Sequence, residues 1–124
     1  MIDPRILEAF QTMWGPFPEP VMLIHKDRTV LGVNDCAEQA GIATGIKCHT
    51  LSLENNAGGH CKRCQANRAL QTGETVQCIE ETCGKTVRGY WMPLKEVPDV
   101  YVHFGIGTAE AMASLQGSAQ PSSC

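Results

Sequence analysis

The sequence predicts one α+β domain, an antiparallel sheet of five strands with helices on one face. Three observations predict it. Apolar and β-branched residues gather into five short runs, at 21–25, 29–33, 75–82, 86–94 and 100–106. These runs split two and three around a stretch with helical spacing at 62–72. The chain has 124 residues, enough for one core and too few for two ordinary domains.

Each element has a local reason. Asp3 followed by Pro4 is an N-cap with proline in the first helical position, and Ile6, Phe10, Met13 and Trp14 fall on one stripe behind it. A helix at 4–13 follows, ended by the stiff run Gly15-Pro-Phe-Pro-Glu-Pro20. Val21 to His25, the polar turn Lys26-Asp27-Arg28 and Thr29 to Val33 read as a hairpin. Asn34-Asp35 caps a short helix with Ala37 and Ala40, which Gly41 stops. Residues 42–60 are irregular, with room for one helical turn near 46–52 and a loop at 55–59. Ala66, Ala69 and Leu70 form the apolar face of the helix at 62–72, and Gly73 ends it. In the last strand Val100, Val102, Phe104 and Ile106 point one way and Tyr101 and His103 the other. A last helical piece is expected at 108–115, then a loose small-residue tail at 117–124.

Composition excludes several functions. Charged residues make up 19% and hydrophobic residues 43%, an ordinary globular balance. The net charge of −3 carries no basic footprint for nucleic acid or an acidic membrane surface. The longest apolar run, Val21-Met-Leu-Ile24, is too short to span a bilayer. Met1-Ile-Asp-Pro-Arg5 does not resemble a signal peptide, so a cytoplasmic location is expected. No Ser/His/Asp ordering, phosphate loop or HExxH is present, so no catalysis is expected.

Seven cysteines are the departure from the ordinary. In a reducing compartment they point to metal or redox chemistry before structural disulfides. Soft thiolates select zinc, copper(I) or iron–sulfur clusters. Cys61-Lys-Arg-Cys64 is a CxxC, two thiolates from one turn. A helix continuous from Cys61 would turn both sulfurs away from Ala66, Ala69 and Leu70, so the CxxC is placed in the turn just ahead of it. From Cys64 to Gly73 a helix advances about 14 Å at ~1.5 Å per residue. A strand returning from Glu74 covers that in about four residues at ~3.3 Å each. Cys78 is thereby level with the CxxC and is the candidate fourth ligand; His49 and His60, neighbours of the other ligands, could replace a sulfur. A disulfide-forming pair and inert structure are the alternatives for the same cysteines. Cys36 reads as a buried helix residue, Cys83 and Cys124 as turn and tail thiols, and His25 and His103 as ordinary strand residues.

The run Val21-Met-Leu-Ile-His-Lys-Asp-Arg-Thr-Val-Leu-Gly-Val-Asn34 resembles the opening hairpin of PAS domains and their Asn before a short helix. Arg68-Ala-Leu-Gln-Thr-Gly-Glu-Thr75 is similar to the family's long helix and its entry into the third strand, and Met92-Pro-Leu94 to the end of its fourth. The resemblance covers about Pro20 to Thr108. It implies a sheet in the order 2-1-5-4-3, a cavity between sheet and helices, and sensing rather than catalysis. The expected division is therefore a helix and linker at 1–19, a PAS sensory domain at 20–108, and a short helix and tail at 109–124. A cysteine-bearing variety of the family places one Cys ahead of a CxxC, as Cys48, Cys61 and Cys64 stand here. Some members with four cysteines in two CxxC pairs hold an oxygen-sensitive iron–sulfur cluster; this chain has one pair only. The Asn-Cys-Arg-Phe run of light-sensing members is missing, and neither haem nor flavin is expected.

The expected function is a redox, oxygen or metal sensor whose centre, an iron–sulfur cluster or zinc, is held by Cys48, Cys61, Cys64 and Cys78 with His49 or His60 in reserve. The expected partners are a second copy, met through the N-terminal helix, and a downstream signalling protein or fused output domain. The alternatives are a PAS cavity for a small organic ligand with zinc or a disulfide stapling the 42–64 loop, and a CxxC thiol oxidoreductase.

Overall fold

A computed structural model of the chain describes residues 3–48, 64–82 and 85–107. The first element, α1 (Pro4–Trp14), is capped as its sequence predicts: Asp3 accepts the backbone N–H of Arg5 at 2.9 Å. It ends at Gly15, whose N–H bonds the Gln11 carbonyl at 2.9 Å. Then follow β1 (Val21–His25), β2 (Val30–Val33), α2 (Asp35–Gln39), α3 (Ala66–Thr72), β3 (Val76–Thr82), β4 (Lys85–Pro93) and β5 (Val100–Ile106). The five strands form one antiparallel sheet in the order β2-β1-β5-β4-β3. This is the expected order, with β5 in the middle, paired to β1 through Leu23↔Val102 and to β4 through Met92↔Val102.

Alternation along β5 sends side chains into two separate cores. Val100 and Val102 join Phe10, Val21 and Leu23 in one cluster. Tyr101 joins Ile24, Ala66, Ala69 and Trp91 in the other. Helix α3 packs on the second face, and the N-terminal helix α1 flanks the sheet from the first. The apolar stripe of α1 is therefore covered by its own chain. The stripe also differs in detail: Leu7 packs with Ile6 and Trp14, while Met13 is 74% exposed. The covered face centres between Phe10 and Trp14, which turns Met13 to its solvent edge.

Asn34 fixes the join between α1, the proline-rich connector and the sheet. It is fully buried. Its Oδ1 accepts the N–H groups of Val21 (2.9 Å) and Ala37 (3.0 Å), the second being the N-cap bond of α2. Its amide nitrogen donates toward the carbonyls of Trp14, Phe17 and Glu19 at 3.1, 3.2 and 2.8 Å. An aromatic group continues this face: Trp14, Phe17, Phe104 and Tyr90 have neighbouring ring centroids 5.0–5.9 Å apart.

Helix α3 begins at Ala66, later than its apolar pattern predicts, because Gln65 (φ −109°, ψ 14°) leaves helical backbone geometry. Cys64 stands ahead of the helix, as expected of the CxxC. Gly73 ends α3 at φ 71°, a left-handed conformation that glycine adopts without steric cost. The expected turn beyond Cys48, the loop at 55–59, the last helical piece and the tail lie outside the described residues.

Candidate functional site

The site is the face of the sheet beneath α3. Its framework begins in the β1–β2 turn. Asp27 accepts the Thr29 N–H at 2.8 Å and pairs with Lys47 at 3.3 Å. The bonds to Thr29, with support from Lys47 and His25, hold its carboxyl well below the usual carboxylate range. The next residue, Arg28, adopts φ 75°, and its N–H donates to the His25 carbonyl at 2.7 Å. That turn sends its guanidinium inward, where the residue is only 5% exposed. Nη1 donates to the Lys26 carbonyl and Nη2 to Asn67 Oδ1 at 3.1 Å. Among the described residues Nε has no hydrogen-bond partner and no carboxylate pairs with the charge.

Arg28 joins two stretches distant in sequence. Its carbonyl accepts the N–H of Cys48 at 2.7 Å. Its guanidinium holds Asn67 in the first turn of α3, three residues after Cys64. The chain ahead of Cys48 is fixed along the hairpin by the Val30 N–H to Ile46 carbonyl bond and the Thr29↔Lys47 bridge. The alanines Ala66 and Ala69, fully buried, let α3 approach the sheet closely.

Cys48, Cys64 and Cys78 come from a loop, a helix entry and a strand. All three are partly buried and pack against the cluster of Ile24, Ala66, Ala69, Trp91 and Tyr101. Val76 shares that packing, as expected of a residue on the strand face of Cys78. Trp91 closes the far side and stacks on His103 with centroids 4.7 Å apart. Gly89, opposite Cys78, makes room for it: a Cβ there would meet Trp91 at 3.3 Å.

Tyr101 lies at the centre, with no exposed surface. Among the described residues its hydroxyl has no hydrogen bond of standard geometry, and the Cys48 thiol interacts with it. Burial pushes the phenol far above its ordinary range. The Cys48 and Cys64 thiols add to that shift, and the Arg28 guanidinium opposes it.

The sequence-predicted ligands thus divide. Cys48, Cys64 and Cys78 are brought to one cluster, while Cys61, His49 and His60 lie outside the described residues. Among the described residues, no three His, Cys, Asp or Glu side chains form a group that could hold a metal ion. Cys83 and Cys124 also lie outside the described residues. Cys36 is partly rather than fully buried in α2, and burial, then the Glu19 charge, pushes its thiol up. His25 and His103 are strand residues; His103 Nδ1 lies 3.0 Å from the Tyr90 carbonyl. An open cavity of about 580 Å³ lies on the α1 side, lined by Ile6, Leu31, Val97 and Val100 together with carboxylate residues and by none of the cysteines.

Arg28 and Tyr101 are the site residues that the pattern of cysteines did not reveal. Tyr101 carried a signal, its alternation against Val100 and Val102. Arg28 carried none, because Lys26-Asp27-Arg28 reads as a solvated turn.

No protein-family model matches the sequence, and no curated protein matches it. Solved structures do. A domain of an HTR-like protein from Haloarcula marismortui aligns with TM-score 0.51 and 16% identity, over 71% of this chain and 93% of that one. The photoactive yellow protein domain of the sensor histidine kinase Ppr from Rhodospirillum centenum aligns with TM-score 0.52 and 14% identity, over 82% and 96%. The PAS domain of Bordetella pertussis BvgS aligns with TM-score 0.48 and 16% identity, over 91% and 92%. The sheet order and the first two alignments show the PAS fold.

Proposed function

We propose that this PAS-fold chain is a sensory module whose signal enters at the cysteine-bearing face beneath α3. One observation carries the reading: cysteines from three separate stretches, Cys48, Cys64 and Cys78, pack against one buried cluster that contains Tyr101. Thiols gathered at one face report redox state, oxygen or metal, through a bound centre or through their own oxidation. The form proposed for the centre is zinc or an iron–sulfur cluster on Cys48, Cys61 and Cys64, completed by Cys78 or by His49 or His60. Neighbours named as a sensor kinase domain and an HTR-like domain favour output through another protein or a fused domain. A homodimer and a cytoplasmic location complete the proposal; among the described residues no helix is long and apolar enough to cross a membrane. The reading is of a binding module, not an enzyme.

The test is metal and sulfide analysis of protein prepared without oxygen. A brown preparation with iron and labile sulfide, lost in Cys61→Ser, supports the cluster. Zinc lost in the same variant supports the zinc form. Protein free of metal in both preparations removes the metal centre.

A further inference from the structure

We propose that the open cavity beside α1 is a second ligand site, built for a small organic cation: a primary ammonium carried on an apolar body. It lies on the other side of the sheet from the cysteines and uses neither thiol nor metal, so it goes beyond the reading of the α3 face.

The cavity is lined from three parts of the chain: the start of α1, the β1–β2 hairpin and the turn between β4 and β5. Its volume of about 580 Å³ falls inside the span of small-molecule sites, roughly 300–1,000 Å³. Ile6, Leu31 and Val97 pack partly buried against the core on this side, and Val100 belongs to that core. These four offer an apolar body a surface that the fold already holds in place.

The charged lining has one sign. Asp3, Asp27, Glu96 and Asp99 line the cavity, and no lysine or arginine does. His25 is the one lining side chain able to carry positive charge, and it faces the Asp27 carboxylate at 3.2 Å. Three of the carboxylates meet cations that stand outside the lining: Asp3 with Arg5 at 3.0 Å, Asp27 with Lys47 at 3.3 Å and Asp99 with Lys26 at 3.5 Å. All six side chains are at least 43% exposed, and ion pairs so open to water are weak. A carboxylate has two oxygens, so each can keep such a partner and still accept from a ligand. Among the described residues Glu96 has no ion pair at all.

The carboxylates stand on fixed backbone. Asp27 accepts the Thr29 N–H at 2.8 Å, and Asp3 accepts the Arg5 N–H at 2.9 Å. The Asp99 carbonyl accepts the Lys26 N–H at 2.7 Å, which ties the β4–β5 turn to the hairpin. Little ordering is then left to be done on binding.

The chemistry of the lining selects among ligands. Apolar walls alone would take a neutral molecule, and the carboxylates repel an anion. Among the described residues no three His, Cys, Asp or Glu side chains converge as they would on a metal ion. The carboxylates are therefore separate acceptors spread along an extended cation. The lining holds no aromatic ring beyond the His25 imidazole, so a quaternary ammonium finds no cage. A primary ammonium, which donates charge-assisted hydrogen bonds, matches the carboxylates.

The test titrates the full chain with phenylpropylamine, phenylpropanol and phenylpropionate, followed by amide chemical shifts. The three share one apolar body, and at about pH 8 the amine is protonated. The amine should saturate the protein and move the amides of Ile6, Leu31 and Val97, leaving Ala66 and Ala69 in α3 unmoved. The alcohol should bind about tenfold more weakly, the effect of losing one charged hydrogen bond, and the acid should not saturate. Glu96→Gln, an exposed change, should weaken the amine about threefold and leave the alcohol unaffected. An amine that fails to saturate, equal affinities for amine and alcohol, shifts confined to α3, or an unchanged amine affinity in Glu96→Gln overturns the inference. None of these outcomes bears on the cysteine-bearing face, so either reading can fail alone.

Discussion

The two faces of the sheet are built to different standards. On the α1 face every device favours rigidity. Asn34 bonds the connector, β1 and α2 at once, and Phe10, Val21, Leu23, Val100 and Val102 form an apolar core on the same side as the open cavity. On the α3 face Ala66 and Ala69 pack with Ile24, Trp91 and Tyr101, thiols line the cluster, and among the described residues two buried donors lack standard hydrogen bonds. Both faces share β5, so they are one domain with one stability. The difference is in what each leaves unsatisfied. Native cores leave few buried polar groups unpaired, and here those of Arg28 and Tyr101 fall on the face that carries the cysteines. The α1 face has its buried Asn34 fully bonded; the α3 face leaves buried donors without a standard partner among the described residues.

This contrast predicts opposite responses to substitution. The largest effect is expected on the α1 face. Asn34→Ala strands the N–H groups of Val21 and Ala37 and frees three carbonyls, and should cost about 3 kcal/mol or more in urea unfolding. A loss below about 1 kcal/mol would show that the join is redundant and the two faces are less distinct than drawn.

The smaller effect has the other sign. Tyr101→Phe removes a buried hydroxyl that lacks a standard hydrogen bond, and should raise stability by about 1 kcal/mol. A higher melting temperature in this variant sharpens the comparison, because a residue kept for packing alone would be better off as Phe. A lower one would mean that the hydroxyl already has a structural partner.

How much of this was legible follows from the physics of each element. Alternation set the strands: Val100, Val102 and Phe104 against Tyr101 and His103 placed β5 between two covered faces. Caps and breakers set the helices, with Asp3, Asn34 and Gly73 where the backbone needs them. The length argument also put Cys78 level with Cys64, and both pack on one cluster. What covers an apolar stripe was not legible. Ile6, Phe10 and Trp14 declare a buried face without saying whether a second copy or the chain's own sheet buries it. Arg28 was hidden for a different reason. A polar residue in a turn normally faces water, and only the φ of 75° turns this one beneath α3. The orphan donors were invisible in principle, since a missing partner is a property of space and not of spacing.

Hydrogen exchange of the full chain, compared between reduced and peroxide-treated samples, tests the division of labour most directly. The account predicts altered protection in α3, notably at the Gly73 amide that bonds Ala69, with α1 and the Asn34 join unchanged. A change centred on α1 with α3 unaltered would contradict it.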